Sequence, residues 1–298
     1  MLLTIKRIFS NLQKDRYIRY LLILPLVIVL VLIVIYPFIY SIKISFTNAY
    51  TSNYLHPKFV GLKNYIWLLR SPKFWNSVKV SLIFVGIAVF LEVLVGLGIA
   101  LLVNQRLKVK KITISLLLTP MFIASAIVGI IFRLMLNELY GVIPYYLTRL
   151  GINQGLLSKR LALFTVILID VWQWTPFVFL ILYAGLQTLP IEPLEAAMVD
   201  GASKWQSFRF VVLPLLSPIL AIVVVFRMMD AFKAFDKIYV LTAGGPGDTT
   251  TTINVFTYFQ AYEFDNFGRA CATTILFLIL ITILAKISMS LLYKSKLY

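Results

Sequence analysis

Glu195-Ala196-Ala197-Met198-Val199-Asp200-Gly201-Ala202-Ser203-Lys204-Trp205-Gln206, closed by Val211-Val212-Leu213-Pro214, is the stretch on which the reading of this chain depends. Pro190 and Pro193 ahead of it can open a helix, because the first helical position has no hydrogen bond for a missing N–H to lose. Ile191, Leu194, Ala197 and Met198 then share one face, at offsets of 3, 6 and 7 residues from the first. Gly201 gives the backbone freedom to turn after that helix. Ser203 and Gln206 stand at capping-box spacing, so a second short helix can begin there. The segment reads as helix, tight turn, helix, with small residues at the bend. Two uses fit this pattern: an apolar face seated in a groove of another protein, and an amphipathic helix resting on lipid headgroups.

On either side the chain is too apolar for a water-soluble domain. Of its 298 residues, 60% are hydrophobic and 13% charged, and the mean hydropathy is +0.91. Soluble domains run near about 45–50% and about 25%. A helix needs about 20 apolar residues to cross the hydrocarbon. Six stretches reach that length, at 21–42, 79–103, 112–135, 161–184, 212–233 and 271–292. The expected fold class is an all-α membrane protein of about six transmembrane helices. The first stretch is longer than a signal-peptide core and no small-residue cleavage pattern follows it, so it is expected to stay as a span. Pro25 and Pro37 within it are tolerated better in membrane helices than in soluble ones. No Gly/Ser-rich or Pro-rich linker divides the chain and no internal repeat is evident. One membrane domain over 21–298 is the simplest division, preceded by a segment at 1–20.

Lys and Arg set the orientation. With the N-terminus inside, the cytoplasmic set is Lys6, Arg7, Lys14, Arg16, Arg19, Arg106, Lys108, Lys110, Lys111, Lys204, Arg209, Lys286, Lys294 and Lys296, fourteen in all. The opposite set is Lys58, Lys63, Arg70, Lys73, Arg149, Lys159, Arg160 and Arg269, eight spread over longer loops. The positive-inside bias therefore puts 1–20, both termini and 185–211 in the cytoplasm, and 238–270 outside. The net charge of +16 is thereby explained as membrane anchoring. Nucleic-acid binding would need these residues gathered on one polar face.

Glu-Ala-Ala, three residues, Gly, nine residues, an aliphatic residue, one more, then Leu-Pro resembles the signature loop of binding-protein-dependent ABC permeases. Glu195, Ala196, Ala197, Gly201, Val211, Leu213 and Pro214 carry it, with Val where Ile is commoner. Further stretches are similar to the maltose and glycerol-3-phosphate type. They are Phe59-Val60-Gly61-Leu62-Lys63-Asn64-Tyr65, then Trp172, Pro176, Ala184-Gly185-Leu186-Gln187 and Pro190, then Phe235-Asp236-Lys237-Ile238-Tyr239-Val240-Leu241-Thr242 with Gly244-Gly245-Pro246. The resemblance implies a type I ABC importer permease fold in the cell membrane, with a coupling-helix loop at about 190–210. Glu195, Ala196, Ala197, Asp200, Gly201, Ala202, Leu213 and Pro214 would contact the ATPase. The implied partners are a second permease subunit, two ATPase subunits, an extracytoplasmic substrate-binding protein and a carbohydrate substrate. The implied division of labour leaves this subunit without a catalytic role or cofactor, ATP and Mg being bound by the partner ATPase. One departure is that no large external domain follows an early span, unlike some maltose-type members.

The fifth stretch carries Arg227, Asp230, Lys233 and Asp236 near its external end. A charge at mid-bilayer costs roughly 2.5–3.5 kcal/mol even on the gentler insertion scale, so these side chains must face protein, water or headgroups. Read as a continued helix, Arg227, Ala231 and Ala234 fall on one stripe and Asp230, Ala234 and Lys237 on another. Arg227, Asp230, Ala231 and Ala234 are candidates for the substrate pathway. A snorkelling cluster with a local Arg227–Asp230 ion pair fits equally. Glu92 and Asp170 read as partners between helices rather than as substrate ligands. Gly244, Gly245 and Gly247 lack the Gly-Lys-Ser/Thr of a phosphate loop and read as an external turn. His56 and Cys271 have no His or Cys neighbour to build a metal site. The competing class is a proton-coupled secondary transporter, which would show repeats and ionisable groups in several spans.

Overall fold

The computed structural model describes residues 15–105, 110–151 and 154–294. Most of the predicted 1–20 segment, and Lys6, Arg7, Lys14, Arg106, Lys108 and Lys296 of the charge count, lie outside the described residues. The described residues are almost entirely helical. Among the described residues, five helices are long and apolar enough to cross a membrane, and a bent pair makes a sixth crossing if taken together. Contacts group the chain into two units. One comprises residues up to Trp67 with Gln260–Ile275, and the other Leu68–Phe259 with the chain from Leu276 onward.

In the first unit, helix α1 runs over 15–45 as Asp15–Leu30, a π turn Val31–Ile35 and Tyr36–Ser45. The π turn ends two residues before Pro37, whose ring and missing N–H would disrupt a regular ladder there. Large apolar side chains from Tyr20 to Ile39 are exposed, the surface of a helix bathed by lipid tails. The stretch after α1 folds back on itself through Asn64, whose amide donates to Ser45 O at 2.8 Å and Thr47 O at 2.9 Å. Asn64 sits at the start of α2 (Lys63–Arg70). The unit is tied to the beginning of α12 (Phe267–Lys294) by Phe267 N–H donating to Ala49 O at 2.9 Å.

The second unit holds the remaining spans. Helix α3 (Pro72–Asn104) opens on Ser71, which accepts the Phe74 N–H, with Pro72 at the tolerated first position. It packs along α7 (Ala162–Gln187), and both pack against α9 (Lys204–Ala231). Ala100, Val103, Val178, Phe179, Leu182, Leu186, Leu216 and Val223 form their shared core. Small residues set how closely these backbones approach. A Cβ on Gly96 would lie 2.8 Å from Val178 Cγ1, and one on Gly185 would lie 2.7 Å from Ile219 Cδ1.

The stretch expected as a third continuous span is broken. Helix α4 (Lys110–Leu118) ends in a 3-10 turn Thr119–Phe122, and α5 (Ser125–Met135) leaves at 92°. Pro120 has no N–H to continue the ladder. The carbonyl of Ile123 freed at the break accepts a 2.9 Å bond from Gln173 Nε2 on α7. Broken backbone at membrane depth requires such a protein partner. Beyond the break, α6 (Val142–Arg149) is a short helix in the connection to α7.

The fifth stretch also departs from expectation at both ends. After α8 (Glu192–Val199), α9 runs without interruption from Lys204 through a π turn Phe208–Val212 to Ala231. Pro214 follows that π turn at the same two-residue distance as Pro37. The helix stops at Ala231, so the stripes drawn onward to Ala234 and Lys237 do not exist as helix faces. Asn254 Nδ2 donates to Phe232 O at 2.8 Å and Ala234 O at 3.3 Å, taking up carbonyls that a longer helix would have used. A new helix, α10 (Asp236–Thr242), begins after the bend and packs on α5. Helix α11 (Ile253–Tyr258) follows, its first N–H held by Ser81 Oγ of α3 at 2.9 Å.

Candidate functional site

The turn between α8 and α9 forms as its residues dictate. Gly201 has φ +77°, the left-handed region that a side chain resists. Ala202 N–H bonds back to Ala197 O at 2.9 Å, the wide bond of a Schellman ending. Ser203 Oγ accepts the Gln206 N–H at 3.3 Å while Gln206 Oε1 accepts the Ser203 N–H at 2.8 Å, completing the capping box. Glu195, Ala196, Asp200 and Gly201 are exposed, whereas Ala197, Ala202 and Leu213 are half-buried and Pro214 is exposed. Nothing lies within 4 Å of a Cβ built on Gly201. Met198, Val199 and Trp205 around it are 64%, 88% and 65% exposed. This is an ordered, apolar, uncovered turn.

At the other end of α9 the charged residues gather. Arg227 is 1% exposed and sends Nε to Glu92 Oε2 at 2.7 Å and Nη2 to Glu92 Oε1 at 2.8 Å. Its Nη2 also reaches Asp170 Oδ2 at 3.2 Å, and Nη1 donates to Asp230 Oδ2 at 2.6 Å. Lys237, 3% exposed on α10, donates to Asp170 Oδ1 and to Gln173 Oε1, the latter at 2.7 Å. The Arg227 guanidinium carbon lies 4.9 Å from the Trp174 ring centroid and Lys237 Nζ 5.9 Å from it, both within cation–π range. Two buried cations therefore face two buried anions, Glu92 and Asp170. Pairing of this kind is what makes charge admissible at such depth.

Beside the cluster, Ser125, Asp170, Trp174, Asp230, Ala231, Lys233, Ala234, Phe235, Asp236 and Lys237 line a cleft of about 110 Å³. That is below the ~300–1,000 Å³ of enclosed ligand pockets, so these residues form a polar wall rather than a closed pocket. Of the pathway candidates, Asp230, Ala231 and Ala234 are on this wall. Arg227 is behind it, held by the carboxylates. Glu92 and Asp170 are the interhelical partners that their positions suggested. Gln173, Trp174 and Lys237 were not singled out as site residues. Asp170 and Gln173 sit one turn apart in a largely apolar helix, which is the signal that marks them.

The sequence matches the family described as binding-protein-dependent transport system inner membrane component over residues 15–296. The chain belongs to this family. As an inner membrane component it is a multi-pass protein of the cytoplasmic membrane. Among its relatives, the trehalose/maltose transport system permease protein MalF of Thermococcus litoralis is 37% identical over 270 residues, covering 90% of this chain and 91% of the relative. The sulfoquinovosyl glycerol transport system permease protein SmoG of Agrobacterium fabrum is 33% identical over 268 residues, covering 88% and 85%. A chain from the crystal structure of a bacterial ABC transporter involved in import of the acidic polysaccharide alginate superposes with a TM-score of 0.82 at 20% identity, covering 97% of this chain and 99% of that one. The fold is thus that of an ABC importer's membrane component.

Proposed function

We propose that this component forms half of the translocation pathway of an ATP-driven importer for a sugar or oligosaccharide. A second permease subunit supplies the other half, and an extracytoplasmic binding protein delivers the solute. Two ATPase subunits bind ATP and Mg and supply the drive. The observation that carries this reading is that one unbroken helix, α9, has the ordered exposed turn at one end and the polar cleft near the other. Relatives named for trehalose/maltose and sulfoquinovosyl glycerol transport support a carbohydrate as solute. A secondary transporter would need carboxylates free to shuttle protons, and Glu92 and Asp170 are instead bonded to Arg227 and Lys237.

In this reading the turn lies in the cytoplasm and seats in a groove of the ATPase. Glu195 pairs with a basic residue there, and Gly201 permits the close approach, with Ala196, Ala197, Asp200 and Ala202 around it. Leu213 and Pro214 anchor the turn to the span. Asp230, Ala231 and Ala234 wall the path. The test is ATPase stimulation by sugar-loaded binding protein in the assembled complex. Glu195→Ala should cut stimulation by a factor of about 30 or more, since truncating one member of a buried interfacial charge pair costs about 2–5 kcal/mol, and Gly201→Asp should cut it by blocking the close approach. Full coupling in both variants would show that the turn is not the drive contact.

A further inference from the structure

Asp230 differs from the other carboxylates of the cluster in one respect. Its side chain is 49% exposed, against 0% for Glu92 and 1% for Asp170, yet it holds the same guanidinium. It also lines the cleft, and only its Oδ2 is engaged by a side chain among the described residues. A carboxylate offers about four lone-pair sites on two oxygens, so Oδ1 can accept hydroxyl hydrogens from a solute in the cleft. Behind Arg227 the bonds continue without a gap. Asp170 takes Arg227 Nη2 and Lys237 Nζ, Lys237 reaches Gln173 Oε1, and Gln173 Nε2 holds the Ile123 carbonyl at the break between α4 and α5.

We infer that Asp230 is the solute-reading residue of the pathway and Gln173 a positioning residue that ties the reading to the bent span. This rests on the proposed importer function. A hydroxyl-bearing solute competes for the Asp230 carboxylate and loosens its hold on Arg227. Rearrangement of the guanidinium then shifts Asp170 and Lys237, and through Gln173 the backbone where α5 leaves α4. Helix α5 carries Ser125 on the cleft wall, so the chain of bonds begins and ends at the same opening. The reader is a carboxylate, an acceptor suited to the hydroxyl hydrogens of a polyol.

The experiment uses the complete transporter reconstituted in vesicles, with Cys271→Ser as background because Cys271 is the single cysteine. ATPase activity is measured with and without binding protein loaded with a neutral sugar, and Ala234→Cys is labelled by a membrane-impermeant maleimide as a report on the cleft. Asp230→Asn should raise basal ATPase by about five-fold, the scale of a partly exposed ion pair, and should raise labelling at position 234 without sugar. Asp230→Glu, which keeps the carboxylate on a longer arm, should raise both by less than Asp230→Asn does. Gln173→Leu should leave the Asp230→Asn rise in labelling intact while removing its rise in ATPase activity. An Asp230→Asn variant with parental basal rate and labelling overturns the inference. So does a Gln173→Leu combination that keeps the ATPase rise. A parent complex that ignores loaded binding protein altogether overturns the importer function, and the inference with it.

Discussion

Arg227 has five N–H donors in a planar fork, and its four bonds to three carboxylates use three of its nitrogens. The bidentate pair with Glu92 is a geometry that an ammonium cannot reproduce. Removing one member of such a buried pair leaves the other charged and unmatched, at about 3–5 kcal/mol. Glu92→Gln should therefore lower the thermal stability of the purified complex sharply, and Glu92→Gln with Arg227→Gln should recover part of the loss. Unchanged stability in the single variant would mean that the pair contributes little. Glu92 and Asp170 could be read from sequence as partners because a carboxylate in an apolar run has few alternatives. That both share Arg227 could not, because the residues lie 135 and 57 positions from it.

At the scale of elements, what was legible was local. Gly201, Ser203 and Gln206 specify their turn within six residues, and the structure has the left-handed glycine and the capping box where the spacing put them. Replacing Ser203 by Ala removes one cap, about 1 kcal/mol. Hydrogen exchange of the amides at the start of α9 should then quicken by about five-fold, while exchange in the core of α7 stays unchanged. The break between α4 and α5 was illegible for the opposite reason. Pro120 marks a weak point, but what makes a right-angled departure tenable is Gln173, 50 residues away. Likewise the apolar run placed the start of the fifth span at 212, yet the π turn Phe208–Val212 lets the helix run on unbroken from Lys204. Asn254, 22 residues past Phe232, decides where the same helix ends.

For the whole molecule, composition and apolar run length gave the class and the number of crossings, because hydrocarbon thickness leaves few alternatives. The Lys and Arg count further assigns a side to each loop, and this is open to direct measurement. In the Cys271→Ser background, Ser203→Cys should react with impermeant maleimide only after the cytoplasmic face is opened, and Ser52→Cys should react from outside. The reverse pattern would invert the orientation and remove the basis for an ATPase contact at the turn. The cleft was less legible than the spans, since its wall is assembled from α5, α7, the end of α9 and α10 rather than from one stripe.

The length of α9 has a mechanical meaning. Its 28 residues extend about 42 Å at 1.5 Å per residue, while the hydrocarbon is about 30 Å thick, so the rod exceeds that thickness by about 12 Å, enough length to serve as a handle. Arg227, clamped four residues from the opposite tip, is placed like the axle of a crank. In the proposed importer, a broad sweep of the handle driven by the ATPase would arrive near the axle as a short displacement under high force, a gearing suited to prying apart bonded ions rather than to moving a loose loop.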